Sequence, residues 1–266
     1  MRSGGTRRPS AALLAGIAVL IGLLGSCKAS APERLTVEIV AEYPHDAQAF
    51  TQGLLLHDGR LYESTGLVGR SSLREVDMAS GAVLRQRDIP SPYFAEGLTL
   101  VGEELLQITY TSGELFRWDR STFESTGSAR YEGEGWGLCY DGAAVWMTDG
   151  STNLFKRDPV TFELLATVRV TDGGDPVVRL NELECVAGVI YANVWLTDDI
   201  VRIDPASGRV TARIDASPLR ASLGPALVTD AVLNGIAYQP DGDLFLVTGK
   251  LWPSLFAVRF VPATGR

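Results

Sequence analysis

One five-residue phrase recurs five times along this chain, and it restricts the fold more than any other feature. It reads Gln52-Gly-Leu-Leu-Leu, Glu96-Gly-Leu-Thr-Leu, Trp136-Gly-Leu-Cys-Tyr, Asn181-Glu-Leu-Glu-Cys and Asn234-Gly-Ile-Ala-Tyr, with starts 44, 40, 45 and 53 residues apart. Each copy runs into a Gly-bearing turn (Asp58-Gly59, Gly102, Asp141-Gly142, Gly188, Asp241-Gly242) and then a second apolar stretch, the pattern of a β-hairpin. A second phrase alternates with the first: Leu73-Arg-Glu-Val-Asp77, Leu115-Phe-Arg-Trp-Asp119, Leu154-Phe-Lys-Arg-Asp158 and Ile200-Val-Arg-Ile-Asp204. Each of its Asp residues opens a turn, as in Asp77-Met-Ala-Ser-Gly81, and a further strand such as Val83–Asp88 follows. One unit is therefore four strands in about 40–45 residues, the period of a propeller blade.

The repeats predict an all-β, five-bladed β-propeller over residues 34–266. After Asn234 the chain supplies only three strands, at Asn234–Tyr238, Asp243–Val247 and Leu255–Phe260. The missing outer strand of the last blade is assigned to Leu35–Tyr43, which precedes the first blade and would close the ring. The long spacing before Asn234 leaves room for a short helix capped near Ser217. A β-sandwich of similar strand count is the alternative, and five phrases in register argue against it. Closure leaves few free strand edges, so a monomer is expected.

Residues 1–26 read as an address. Arg2, Arg7 and Arg8 precede a 14-residue apolar run, Ala11–Leu24, which is too short to span a bilayer comfortably. The run ends in Leu24-Gly25-Ser26-Cys27, which resembles the lipobox of bacterial lipoproteins. The expectation is a lipoprotein-type signal peptide over 1–26, lipidation of Cys27, a tether over 27–33, and a protein held at a membrane outside the cytoplasm. An ordinary signal peptide cleaved near Ala29 or Ala31 is the alternative. Removing residues 1–26 takes away three Arg and no acid, which leaves 21 Lys+Arg against 32 Asp+Glu, a formal charge of −11. Such a balance does not suit nucleic acid.

In a propeller the first strand of each blade lines the central channel, so the residues that open the five phrases should gather at one rim. They are Gln52, Glu96, Trp136, Asn181 and Asn234, and four of the five are polar where a buried inner strand would ordinarily begin with an apolar residue. The second strand runs back to the same rim. Counting along each hairpin places Glu63, Tyr110, Asp149, Trp195 and Lys250 there. A carboxylate, a lysine, amides and aromatic walls then converge on one opening, which is the pattern of a binding pocket. Trp118 and Trp146 fit the alternation of their strands as packing residues. His45 and His57 have no ligand spacing to each other or to Cys, so no metal site is assigned. Cys139 and Cys185 point to opposite faces of strands in adjacent blades. They would be either a disulfide across blades three and four or two buried thiols.

Phe50-Thr-Gln52-Gly53, Phe94-Ala-Glu96-Gly97, Glu134-Gly-Trp136-Gly137-Leu, Leu180-Asn181-Glu182-Leu183-Glu184, Leu233-Asn234-Gly235-Ile236-Ala237 and Thr248-Gly-Lys250-Leu-Trp-Pro253 together resemble the plant and bacterial glutamine cyclotransferases. The resemblance covers almost the whole chain after residue 26. It implies a five-bladed propeller that acts as a glutaminyl-peptide cyclotransferase without a cofactor or metal, converting the N-terminal Gln of peptides and proteins to pyroglutamate with loss of ammonia. It also implies an acid/base role for Glu96 and a pocket lined by Phe50, Gln52, Phe94, Trp136, Asn181, Trp195 and Lys250. Tyr110 stands where the family often has Trp.

The chemistry demands little beyond positioning. The substrate's own α-amine attacks its side-chain amide carbon, so the reaction is intramolecular and the enzyme must select the folded conformer. With a pKa of about 7.7–8.0, roughly a tenth of that amine is neutral at pH 7. Glu96 can shuttle its proton to the departing nitrogen. Lys250, or an amide donor from Asn181, can stabilise the oxyanion. The competing reading is a lipid-anchored propeller that binds peptide or sugar without chemistry. A Ca²⁺-dependent, lactonase-like propeller would need a carboxylate-rich channel, and the five opening residues include one Glu and no Asp.

Overall fold

The computed structural model describes residues 1, 4–5, 31–225 and 228–263, and Ala31–Arg266 fall in one compact unit. Residues 2–3 and 6–30, which hold most of the signal segment and Cys27, lie outside the described residues.

Among the described residues the chain is all-β apart from one short helix, and its arrangement is propeller-like. Strand β1 (Glu33–Pro44) is followed by three antiparallel four-stranded meanders. They are β2 (Thr51–His57), β3 (Arg60–Thr65), β4 (Ser72–Val76) and β5 (Val83–Asp88); β6 (Ala95–Val101), β7 (Glu104–Thr109), β8 (Glu114–Asp119) and β9 (Ser125–Arg130); and β10 (Leu138–Tyr140), β11 (Val145–Met147), β12 (Asn153–Arg157) and β13 (Leu164–Arg169). A two-residue hairpin, β14 (Thr171–Asp172) and β15 (Asp175–Pro176), leads to β16 (Leu180–Val186), β17 (Val189–Val194), β18 (Asp199–Asp204) and β19 (Arg209–Asp215). Helix α1 (Ser217–Leu223) then precedes β20 (Leu233–Gln239), β21 (Leu244–Gly249) and β22 (Ser254–Pro262).

The local chemistry of the repeats accounts for their turns. Asp58 (φ 49°) and Gly59 (φ 71°) form a two-residue hairpin turn between the paired residues His57 and Arg60, with the left-handed backbone that Asp-Gly favours. The Asp ending each second phrase accepts backbone N–H groups of its own turn: Asp77 from Ser80, Asp119 from Ser121 and Thr122, Asp158 from Val160 and Thr161, Asp204 from Ala206.

Strand β1 is where the sequence expectation placed it and does one thing more. It pairs antiparallel with β22, from Leu35 opposite Pro262 to Pro44 opposite Ser254. Its first residues also pair parallel with β19, Glu33 to Thr36 opposite Ala212 to Asp215. The fourth and fifth units are thereby fused into one sheet, β16-β17-β18-β19-β1-β22-β21-β20. The short helix expected to be capped near Ser217 is present. Ala216 is the N-cap, and Asp215 accepts the N–H of Ser217.

The innermost strands β2, β6, β10, β16 and β20 touch one another in a closed ring. Glycine at the second position of the phrase makes that approach possible: a Cβ on Gly53 would lie 2.5 Å from the Leu98 nitrogen, and one on Gly97 2.5 Å from the Leu138 nitrogen. The fourth unit carries Glu182 instead. Its buried carboxylate accepts the N–H of Leu54 at 3.3 Å and of Ile236 at 2.8 Å, so one side chain ties β16 to β2 and β20. Apolar side chains fill the space between neighbouring sheets, among them Trp118 and Trp146 as packing residues. Cys139 on β10 and Cys185 on β16 are disulfide-bonded, with Cα atoms 5.4 Å apart, which decides between the two alternatives the sequence left open.

Candidate active site

Alternation along the inner strands sets the depth of each side chain. Residues two apart share a face, so Phe50 and Gln52 line one cavity from the first unit, and Phe94 and Glu96 from the second. Val232 lies two residues before Asn234 on the fifth. The cavity has a volume of about 220 Å³ and is lined by Phe50, Gln52, Phe94, Glu96, Tyr110, Trp136, Asn181, Trp195, Leu196, Thr229, Asp230, Val232 and Lys250. All five units contribute.

Five aromatic rings make its wall. Phe50, Phe94, Tyr110, Trp136 and Trp195 follow one another edge to face, with successive centroids 5.4–6.4 Å apart. This is the favourable geometry for rings whose edges are positive and faces negative. The Trp136 indole N–H donates to Glu134 at 3.0 Å, and the Lys250 ammonium lies 4.8 Å from the Phe50 ring centroid. Gly66 is required beneath the wall because a Cβ there would collide with the Phe94 ring.

The polar groups are few: Thr229 and Asp230 are exposed, whereas Gln52, Glu96, Asn181 and Lys250 are buried. Glu96 is 5% exposed, and its Oε1 accepts a hydrogen bond from Gln52 Nε2 at 3.1 Å. Burial drives its pKa well above the usual carboxylate value; the Lys250 charge opposes the rise and Glu134 adds to it. Lys250 is 6% exposed and its pKa is lowered, chiefly by burial, against the pull of Glu96 and Asp230. Asn181 is 2% exposed, and its Oδ1 has no hydrogen-bond partner among the described residues. A buried, unpaired acceptor is costly, and this one lines a cavity that can admit a donor.

Three residues expected at the rim are not in the cavity lining. Asn234 is fully buried behind it, where its Nδ2 donates to the Thr51 carbonyl at 2.9 Å and to Gln52 Oε1 at 3.3 Å. It therefore orients Gln52, whose other amide end meets Glu96. Glu63 is misplaced by register. Ala95 pairs with Thr109, Leu180 with Val194 and Leu233 with Gly249, and the next residues are Tyr110, Trp195 and Lys250. The matching pair in the first unit is Thr51 with Thr65, so Gly66 holds that position and Glu63 lies deeper in the sheet. Register misplaces Asp149 as well: Leu138 pairs with Met147 as Leu98 does with Gln107 and Leu183 with Ala192, so the corresponding place in the third unit, three residues further on, falls to Gly150, and Asp149 accepts the N–H of Ser151 at 2.9 Å.

Leu196, Thr229, Asp230 and Val232 line the cavity without having been identified from the sequence. Val232 precedes its phrase by two residues, as Phe50 and Phe94 precede theirs, so the repeat marked its position although Asn234 itself lies behind the cavity. Thr229 and Asp230 belong to the segment that lengthens the final repeat, whose path the repeats do not specify. Leu196 follows Trp195 in a left-handed conformation (φ 65°), for which a leucine gives no signal.

The profile of the glutamine cyclotransferase family matches residues 13–260. The glutaminyl-peptide cyclotransferase of Arabidopsis thaliana is 40% identical over 233 residues, which are 86% of this chain and 73% of that protein. The crystal structure of Myxococcus xanthus glutaminyl cyclase superposes with a TM-score of 0.83 at 44% identity, covering 88% of this chain and all of that one. A match over nearly the whole ring, in both sequence and fold, means that the chain belongs to the glutamine cyclotransferase family.

Proposed function

We propose that the protein is a five-bladed propeller enzyme, a glutaminyl-peptide cyclotransferase of the aminoacyltransferase class, in which Glu96 moves the proton and Lys250 stabilises the developing charge without a metal. The observation that carries this reading is the burial of a carboxyl, an ammonium and an unpaired amide oxygen in one small aromatic cavity. At about 220 Å³ it falls below the ~300–1,000 Å³ of sites for drug-sized ligands. That suits one terminal residue whose chain continues into solvent.

The reaction then runs as follows. The neutral α-amine of the substrate attacks the δ-carbon of its own side-chain amide, forming the ring N–C bond. As that bond forms, the Glu96 carboxylate takes a proton from the amine nitrogen. The carbonyl oxygen becomes an oxyanion facing Lys250. When the oxyanion collapses, the Glu96 carboxylic acid gives the proton to the amide nitrogen, the C–N bond breaks, and ammonia leaves. A carboxyl whose pKa is raised toward neutrality serves both halves of this shuttle better than one at its ordinary value. Asn181 Oδ1 is the acceptor for an N–H of the bound terminus. Gln52, itself oriented by Asn234, holds the Glu96 carboxylate in one rotamer.

Ammonia release from Gln-initiated dipeptides tests the reading, and undiminished release is expected with EDTA present. Saturable peptide binding without ammonia would support the recognition propeller instead, and EDTA-sensitive release restored by a divalent cation would overturn metal independence.

We also propose that the enzyme is exported and anchored through lipidated Cys27, because the basic start, the short apolar run and Leu24-Gly25-Ser26-Cys27 follow the lipoprotein pattern. Radiolabelled fatty acid supplied to expressing cells should enter the wild-type protein and be absent from Cys27→Ala. Equal labelling of both would defeat the proposal.

A further inference from the structure

Behind the Phe50 wall lies a second group of ionisable side chains that the reaction above does not use. His45 follows directly on β1, and its side chain is 3% exposed. Its Nδ1 is 2.7 Å from the carbonyl oxygen of Trp252, and its Nε2 is 3.0 Å from Oε1 of Glu63. A backbone carbonyl can only accept, and a carboxylate can only accept; a neutral imidazole has one N–H to offer. Two acceptors on opposite sides of the ring require two ring protons. The ionised state of Glu63 is set by its own contacts: Oε1 also accepts the Thr51 hydroxyl at 2.7 Å, and Oε2 lies 3.8 Å from the Arg74 guanidinium. Arg74 pairs in turn with Asp46 at 2.9 Å, so two cations and two carboxylates balance in the cluster.

The cluster joins two segments that carry site residues. On one side is the turn Lys250–Pro253. His45 holds it twice, through the ring to Trp252 O and through its backbone N–H to Pro253 O at 2.8 Å, while Leu251 donates to Ala49 at 2.7 Å. On the other side Glu63 holds Thr51, the neighbour of Gln52, whose amide meets Glu96. We propose that His45 is held as an imidazolium and positions the Lys250 turn against the strand that carries Gln52. This rests on the reading of Glu96 and Lys250 given above for its catalytic consequence, and on the geometry alone for the charge.

The directions of titration agree. Burial alone would lower the His45 pKa, but the Glu63 charge and hydrogen bond, the Trp252 carbonyl and the Asp46 charge outweigh it and the value is raised. Burial alone would raise the pKa of Glu63, but His45, Thr51 and Arg74 outweigh it and the value is lowered. The signs follow by linkage. The His45 contribution to stability is complete below the ordinary histidine value near 6.5 and is lost as pH rises through the raised folded value. The Glu63 contribution is complete above the ordinary carboxyl value and is lost as pH falls through the depressed one.

The chain has two histidines, His45 and His57. In full-length His57→Gln, His45 is therefore the sole histidine signal in an imidazole ¹H–¹⁵N spectrum. At pH 7.5 both of its ring nitrogens should be protonated; a neutral tautomer at that pH would overturn the assigned charge whether or not the enzyme cyclises glutamine. For positioning, Glu63→Gln and His45→Gln should each lower kcat roughly tenfold with KM changed less than twofold, the signature of misaligned rather than unbound substrate. If either variant keeps wild-type kcat, or if the loss appears in KM alone, His45 does not position the site.

Discussion

Glu96→Gln should lower kcat for ammonia release from Gln-initiated peptides by about 10²–10⁴-fold, the range for removing a positioned proton shuttle. The substitution is close to isosteric and leaves an oxygen to accept the Gln52 N–H seen at 3.1 Å, so the cavity keeps its shape. What it removes is the ability to carry a proton between the amine and the departing nitrogen. Binding should survive, because the aromatic wall and Asn181 are unaltered. Trp136 and Trp195 line the cavity and report occupancy by fluorescence, so titration with a Gln dipeptide can separate the two quantities. A variant that keeps more than a tenth of wild-type kcat would remove Glu96 from the centre of the mechanism. One that fails to bind would make Glu96 a recognition group instead.

Lys250→Met should cost about 10²–10³-fold in kcat, the usual effect of losing one preorganised donor to an oxyanion. It should also move the pH profile in a defined direction. Burial raises the Glu96 pKa and the Lys250 charge opposes that rise. Deleting the charge lets the pKa climb further, and because Glu96 must be ionised to accept the amine proton, the acid limb of kcat/KM should shift to higher pH. An acid limb that stays in place, or moves down, would show that Lys250 does not act on Glu96. A rate within threefold of wild type would confine Lys250 to packing over Phe50.

Much of this architecture was written in the repeats. Four of the five phrases set a glycine after their opening residue that lets the next inner strand approach, and the Asp of each second phrase makes its own turn. Both effects are local, which is why they survive in a sequence. The pairing of β1 with β19 is not local: Glu33–Thr36 carries no mark that distinguishes a strand with one partner from a strand with two. The site divides in the same way. Phe50 and Gln52, or Phe94 and Glu96, are related by strand alternation and can be found by counting. Glu63 was misassigned because Gly66, which shares no chemistry with Tyr110, Trp195 or Lys250, occupies the position equivalent to theirs. Once register moves Glu63 off the rim, its burial needs another cause, and His45, 18 residues earlier, supplies it. Thr229 and Asp230 reach the cavity on an inserted segment whose course no periodic signal fixes.

The two pairings of β1 have a consequence for how such a ring can be cut. Leu35 lies opposite Pro262, so the first and last strands of the ring run side by side and their ends are close in space. The chain could be rejoined there and opened at an exposed hairpin such as Asp141-Gly142 without losing a strand from any sheet. Shortening it from the front has the opposite effect. Deleting Glu33–Pro44 would remove the outer strand of one unit and also the seam between two, leaving both β22 and β19 with bare edges, so the loss would be felt around the circle and not at one end.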